Sequence, residues 1–460
     1  MITHALSATS FRDPAGFMFE DDGTLFRQVN RTYRGHYDHL IASGLYEDLT
    51  REDLLVPHEE VDSMGPAPEL VYKVIAPRPV EFISYPYEWC FSQLRDAALL
   101  TLAVQRQALA HGMSLKDASV YNVQFHRGRP IFIDTLSFET YREGEPWVAY
   151  RQFCQHFLAP LALMSLVDRR LNQLCRTNLD GIPLELAARL LPNRSRLRPG
   201  LAIHLHLHAS MTRSVARNPR APSGRRFSRH ALLGLIDHLE TTINRLRDRP
   251  AGRGWIEYYQ DNTYTAESIE TKASAVAAHL DRVKPGRVWD LGANTGRFSR
   301  IASERSISTI SFDLDVDCVE ANYQEVKRRA DPFLLPLELD LLNPSPASGW
   351  LNQERPSLLD RGKPDLVLAL ALIHHLAFTG NLPLEGVARF FDRLAPWLVI
   401  EFVPPTDPQV ARLRQSVDGL HHRYDQSHFE SCFGRYFELV NSQPILDSGR
   451  VLYLFRRRSG

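Results

Sequence analysis

Residues 287–300 read RVWDLGANTGRFSR. A short apolar run through Val288 and Trp289 ends in Asp290, and Gly292, Asn294 and Gly296 follow at alternate positions. Glycine admits positive φ and lets a ligand come close to the main chain. Asparagine tolerates the same left-handed region better than most side-chain-bearing residues. The stretch therefore reads as a strand, a tight turn and a helix opening near Arg297. The N–H groups at such a helix start, with their partial positive charge, favour an acidic group. The spacing is not GxGxxG, so the pyrophosphate fingerprint of dinucleotide enzymes is excluded.

Downstream, apolar runs and amphipathic stretches alternate, as in a doubly wound α/β sheet. ISTISFDLD at 307–315 reads as a second strand ending in Asp313, and LPLELDLL at 335–342 as a third ending in Asp340. PDLVLALALIHHL at 364–376 is apolar enough for a fourth strand buried on both faces, ending at His374 and His375. WLVIEFVP at 397–404 is a fifth, carrying Glu401; FELVNSQPI and RVLYLFRR supply a sixth and seventh as a hairpin-like closing pair. Three acids thus end three successive strands behind one glycine turn. Asp315 is placed to cap the helix after the second strand.

This set resembles motif I, and the acidic positions behind it, of class I S-adenosylmethionine-dependent methyltransferases, with Asn294 in place of the middle glycine. The resemblance covers about residues 255–460. It implies a Rossmann-like seven-stranded domain and S-adenosylmethionine as cofactor. It assigns Asp290, Gly292, Asn294, Gly296, Asp313 and Asp340 to cofactor binding. Asp290 would orient the loop or meet the cofactor amine, Asp313 would hold the ribose hydroxyls, and Asp340 would lie near the adenine amine.

In an open parallel sheet the acceptor lies beyond the carboxyl ends of the strands. The Asn/Asp-Pro-Pro-Tyr/Phe cluster typical of methyltransferases acting on nucleobase or glutamine amino groups is replaced here by Leu372-Ile373-His374-His375. That disfavours such an activity and leaves oxygen as the expected acceptor atom, with carbon and nitrogen open. The catalytic candidates are His374, His375 and Glu401; a histidine titrates near neutrality and can take a hydroxyl proton. The competing reading for each is an ordinary packed or paired strand-end residue. WIEYYQDNTYTAESIETK at 255–272 is dense in aromatics, so Tyr258, Tyr259, Tyr264 and Lys272 either line the pocket or belong to plain core.

Upstream, HALLGLIDHLETTINRLRDR at 230–249 repeats apolar residues at helical spacing and reads as a leading helix of a methyltransferase domain, 230–460. TRSVARNPRAPSGRRFSR at 212–229 has no acid and reads as a flexible linker. Residues 1–211 mix strand-like runs with amphipathic helices, an α+β N-terminal domain. Within it, SLKDASVYNVQFHRGRPIFIDTLSFE at 114–139 resembles the catalytic-loop region of kinase-like folds, with Asp117, Asn122 and Asp134 at the matching spacing. The departures are large: LKD stands for HRD and DTL for DFG, with no glycine-rich loop and no VAIK-like lysine. The alternative is a domain that selects the acceptor. The layout, with YKVIAPRPVEFISYPYEW at 72–89 and ALIHHL at 371–376, resembles a bacterial family that includes the nodulation protein NoeA.

The 460 residues suggest two or three domains. Lys+Arg and Asp+Glu are both 54, so no net charge draws the chain to nucleic acid or an anionic membrane. Cys90, Cys154, Cys175, Cys318 and Cys432 include no CxxC pair, so no metal site or redox motif is expected. The N-terminus lacks a signal-peptide pattern, and no apolar run approaches the ~20 residues of a membrane helix. The expectation is a cytoplasmic enzyme that moves a methyl group from S-adenosylmethionine to a small-molecule or glycan-like acceptor. The alternatives are a kinase-like phosphotransferase fused to a methyltransferase domain, and a non-catalytic cofactor-binding protein.

Overall fold

The computed structural model describes residues 5–6, 10, 12–210, 227–249, 265–415 and 423–458. The chain divides into two compact units, residues 1–250 with 347–355, and residues 251–346 with 356–460. The helix expected at 230–249 spans Arg229–Arg245 and belongs to the first unit, not to the sheet domain that follows. Its buried stripe is Leu232, Ile236, Leu239 and Ile243. Arg106, on the helix Phe91–Ala110, bridges Asp237 at 2.7 Å and Glu240 at 2.8 Å. The boundary therefore falls near residue 250 rather than at 211–230. Most of the linker expected at 212–229 lies outside the described residues.

The first unit is α+β. Strands β1 (Ala5–Leu6), β2 (Gly16–Asp21), β3 (Thr24–Asn30), β4 (His58–Val61) and β5 (Val71–Pro77) form an antiparallel sheet in the order β1-β2-β3-β5-β4. The β2–β3 hairpin closes on Asp22-Gly23, both at positive φ, as a two-residue turn between twisted strands requires. After the helix Phe91–Ala110 come β6 (Met113–Leu115), β7 (Val123–His126), β8 (Arg129–Phe132) and β9 (Phe138–Thr140), paired as β6·β9 and β7·β8. The helix Ala159–Leu166 has every residue buried and anchors the core of this unit.

The second unit carries β10 (Arg287–Leu291), β11 (Ser308–Asp313), β12 (Leu334–Glu338), β13 (Leu366–Ala369), β14 (Trp397–Phe402), β15 (Phe437–Pro444) and β16 (Val451–Arg457). They form one sheet in the order β12-β11-β10-β13-β14-β16-β15. β10 to β14 pair in parallel, and β16 runs antiparallel to both its neighbours. The last strand is thus inserted ahead of the one before it. The reason is burial: Leu452, Tyr453, Leu454 and Phe455 are buried in succession, so β16 has two apolar faces and takes an interior place. β15 exposes Glu438 and Leu439 and takes the edge.

Val288, Leu366, Leu368, Val399, Leu452 and Leu454 pack with Val276 and Leu280 of the helix Ala266–Val283. That helix starts where Thr265 Oγ1 accepts the Ser268 N–H, and stops at Lys284 (φ 51°), before Pro285. The chain order reverses direction between β10 and β13, so a crevice opens at the carboxyl end of β10.

Candidate active site

Asp290, on β10, is 1 % exposed. Its Oδ2 accepts the Ser299 hydroxyl at 2.6 Å, while its Oδ1 is buried with no hydrogen-bond donor among the described residues. Burial pushes the carboxyl up to about 6, against the opposing Ser299 bond and Lys272 charge. The turn beyond it holds Gly292, Asn294 and Gly296 at φ 73°, 51° and 76°. The N–H groups of Gly292 and Ala293 both donate to the Phe312 carbonyl at 2.9 Å, which fastens the turn to β11. A Cβ on Gly296 would lie 2.3 Å from Asn322 Oδ1. The turn runs on through Phe298, so the following helix is Ser299–Ser303 and opens two residues later than its sequence suggests.

Asp313 ends β11, as expected. Its Oδ2 accepts the Asn294 N–H at 2.6 Å and its Oδ1 the Asp315 N–H at 2.8 Å. Burial pushes this carboxyl up to about 6 as well, opposed by those backbone bonds. Asp315 caps the helix Val316–Arg329 by accepting the Asp317 N–H at 2.8 Å. Asp340 stands two residues past the end of β12 and accepts the Leu342 N–H at 2.8 Å.

A cavity of ≈ 520 Å³ brings Asp290, Gly292, Asn294, Asp313 and Asp340 together. Gly296 is not in its wall; it shapes the turn from behind. Lys272 and His375 also line the cavity, together with an apolar wall that includes Leu314, Leu341, Leu372 and Leu413. Those leucines had no signal in the sequence, because leucine at a strand end reads as core.

The histidines do not end β13. That strand stops at Ala369, the chain turns at Ala371 (φ 52°), and His375 opens a single π-helical turn, His375–Thr379. His374 is fully buried with both ring nitrogens unpartnered, is absent from the cavity wall, and is held well below the usual histidine range by burial and the neighbouring His375. It is a core residue. His375 does face the cavity, and burial pushes it down to about 4, so its ring is neutral near pH 7.

Glu401 is also absent from the wall. It is fully buried, and its Oε2 accepts the Lys272 ammonium at 2.6 Å. Its Oε1 faces Arg450 at 3.4 Å, and Arg450 Nε donates to Asp407 at 2.8 Å. Of the three catalytic candidates, only His375 reaches the cavity. Tyr258, Tyr259 and Tyr264 lie outside the described residues.

In the first unit, Asp117, Asn122 and Asp134 are each held by the protein itself. Asp134 pairs with Arg27 and accepts the Ser137 hydroxyl and the Leu136 N–H. Arg27 also bridges Asp13 at 2.9 Å. Asn122 donates to the Ser137 hydroxyl at 3.0 Å, and Asp117 accepts the Ser119 N–H and the Gln152 amide. Burial and the charge of Asp134 raise the Asp117 carboxyl above its usual range. The kinase-like spacing yields a cluster whose second acid is neutralised from within by a guanidinium.

No known family profile matches the chain. Over 463 aligned residues it is 35% identical to the nodulation protein NoeA of Rhizobium meliloti (strain 1021), covering 98% of this chain and 96% of that one. The chain belongs to the NoeA family. Solved structures that this NoeA-family chain resembles over part of its length include magnesium protoporphyrin IX methyltransferase (ChlM) from Synechocystis PCC 6803 with bound SAH. That match is 16% identical, covers 44% of this chain and 93% of that one, and has a TM-score of 0.32. A second is the N-methyltransferase NodS from Bradyrhizobium japonicum WM9 in complex with S-adenosyl-l-homocysteine, 15% identical, covering 44% of this chain and 91% of that one, with a TM-score of 0.31.

Proposed function

We propose that the second unit of this NoeA-family chain binds S-adenosylmethionine and transfers its methyl group to an acceptor. The observation that carries the reading is Asp290 Oδ1, a buried acceptor atom without a donor among the described residues, beside a turn at positive φ. A buried unsatisfied acceptor is destabilising by about 1–3 kcal/mol, and a ligand amine relieves it. Asp313, whose oxygens accept the Asn294 and Asp315 N–H groups, has the acceptor capacity of an ionised carboxylate for the ribose hydroxyls. Asp340 is placed for the adenine amine. Gly292 and Asn294 let the main chain approach the ligand.

When bound, the cofactor supplies an electrophilic methyl group on a sulfonium. The chain's own work is to hold, orient and dry the reactants. Asp290 would anchor the amine and Asp313 the ribose, so that the bound cofactor is held still for the transfer. The leucine wall keeps water from competing as a nucleophile.

The acceptor is read as a small molecule or glycan-like compound methylated at oxygen. His375 is the candidate base in the cavity wall for a hydroxyl proton, although burial, by pushing it down to about 4, makes it a weaker base than a free histidine. His374 and Glu401 have no part in it. Titration calorimetry of S-adenosylmethionine against the wild-type chain and Asp313→Ala tests the proposal. Saturable binding that weakens by ~1–3 kcal/mol in the variant is expected; a folded wild-type chain that binds nothing, with or without candidate acceptors, overturns it.

A further inference from the structure

We propose that the first unit docks on an anionic lipid bilayer through a patch of exposed arginine and aliphatic side chains between Arg189 and Leu207. The proposal is independent of the cofactor reading, which concerns the second unit.

The chain carries 54 basic and 54 acidic residues, but they are not evenly mixed. From Leu186 to Ile236 there is no Asp or Glu, while ten arginines fall in the same stretch. The neutral total thus conceals a strongly cationic span, which attracts an anionic surface within a Debye length. Four of the ten, Arg189, Arg194, Arg196 and Arg198, stand on elements the structure describes. All four are exposed, and none forms an ion pair among the described residues.

The segments around them pack together: the helix Leu184–Leu190, the single turn Asn193–Leu197 and the π-helical segment Ala202–Leu207. Ser195 and His206 bond at 2.7 Å and tie the turn to the π-helical segment. The outer side of these segments is not purely polar. Leu197 is 85% exposed between Arg196 and Arg198, and Leu190, next to Arg189, is exposed as well. Ile203 and Leu207 are 47% and 53% exposed, four residues apart and so on one side of their segment. A single exposed leucine needs no explanation. Four aliphatic side chains set among unpaired arginines match an anionic bilayer, where aliphatic groups enter the acyl boundary and guanidinium groups stay at the phosphates. Single-stranded nucleic acid, another polyanion, is gripped by aromatic side chains stacked on its bases. No Phe, Tyr or Trp occurs from Leu186 to Arg226.

Flotation of the full chain with lipid vesicles tests this. Partition onto vesicles of phosphatidylcholine and phosphatidylglycerol in equal parts is expected to exceed partition onto phosphatidylcholine alone by about 10-fold or more. Equal binding to the two vesicle types, or none to either, overturns the proposal. Tighter binding of a mixed-sequence RNA than of the anionic vesicles overturns it too.

Two variants then separate the sources of affinity. Arg194→Gln combined with Arg196→Gln and Arg198→Gln is expected to bind the anionic vesicles about 10-fold or more weakly. Leu197→Ser combined with Leu207→Ser is expected to lose a similar factor, because each substitution removes an aliphatic group from the acyl boundary. All five side chains are exposed, so neither variant removes a core contact. No loss in either variant places the contact elsewhere and overturns the patch. A loss in the arginine variant alone marks a soluble polyanion as the partner and overturns the bilayer.

Discussion

The main-chain N–H of Asn294 donates to Asp313 Oδ2 at 2.6 Å, so the residue read as the ribose ligand also holds the glycine turn in shape. The cavity is organised by the same acids that would bind its occupant. A ligand that orders little backbone on binding loses less affinity to conformational entropy.

Ionisation of these acids makes cofactor affinity depend on pH. Asp290 and Asp313 are both pushed up to about 6, and a ligand amine binds the ionised carboxylate. Affinity is expected to be flat above pH 7 and to fall below pH 6, by about 10-fold per pH unit for each carboxylate that must be ionised. Binding at pH 6 should release protons. Calorimetry in buffers of different ionisation enthalpy measures this, and a pH-independent affinity between 5 and 7 contradicts it.

The two glycines of the turn should differ in tolerance. A Cβ at Gly296 meets Asn322 Oδ1 at 2.3 Å, and that amide is fixed by Ser311 at 2.8 Å and Arg300 at 2.9 Å. A Cβ at Gly292 meets only the tip of Leu372, at 3.2 Å. Both sit at positive φ, so each alanine is strained by about 1 kcal/mol or more. Gly296→Ala is expected to be the more destabilising, by about 2–3 kcal/mol in urea unfolding. Equal effects contradict the packing argument.

The sheet, and the gathering of Asp290, Asp313 and Asp340 at one cavity, were legible because they follow local rules. A glycine turn needs positive φ, and an acid at a strand end is visible as an acid. The placement of His374, His375 and Glu401 was not, because it is decided by tertiary packing. His374 and His375 look alike in sequence, yet one turn at Ala371 sends the first into the core and the second to the cavity. Glu401 reads in sequence equally as a catalytic candidate or a paired structural acid; in the fold it is buried against Lys272, 129 residues away. The helix Arg229–Arg245 groups with the first unit, which its periodicity does not foretell, since periodicity reports a buried stripe but not what covers it. Nor did periodicity predict the interior place of β16.

Arg450 is fully buried between Asp407 and Glu401. Arg450→Met leaves two buried carboxylates short of a cation and is expected to destabilise the second unit by about 3–5 kcal/mol. A denaturant titration that reports on the sheet checks this, and a loss under about 1 kcal/mol would mean the charges relax through another route.

Buried histidines govern acid stability. His58, His156, His204 and His375 are each pushed down to about 4, chiefly by burial. Unfolded, they titrate near 6.5 and bind more protons than the folded chain between pH 4 and 6.5. Stability should therefore be full above 6.5 and be lost as pH falls toward 4. Asp290 and Asp313, raised to about 6, act in the opposite sense over the same window. Four histidines outweigh two carboxylates, so the midpoint of thermal unfolding should drop steadily from pH 6.5 to 4.5. A rise on acidification contradicts this.

The most direct measurement is a crystal structure of the chain grown with S-adenosylhomocysteine. The ligand amine is predicted within hydrogen-bond distance of Asp290 Oδ1, the ribose hydroxyls on Asp313, and the adenine toward Asp340. A nucleoside bound elsewhere, or a saturated crystal whose cavity holds none, would contradict the account.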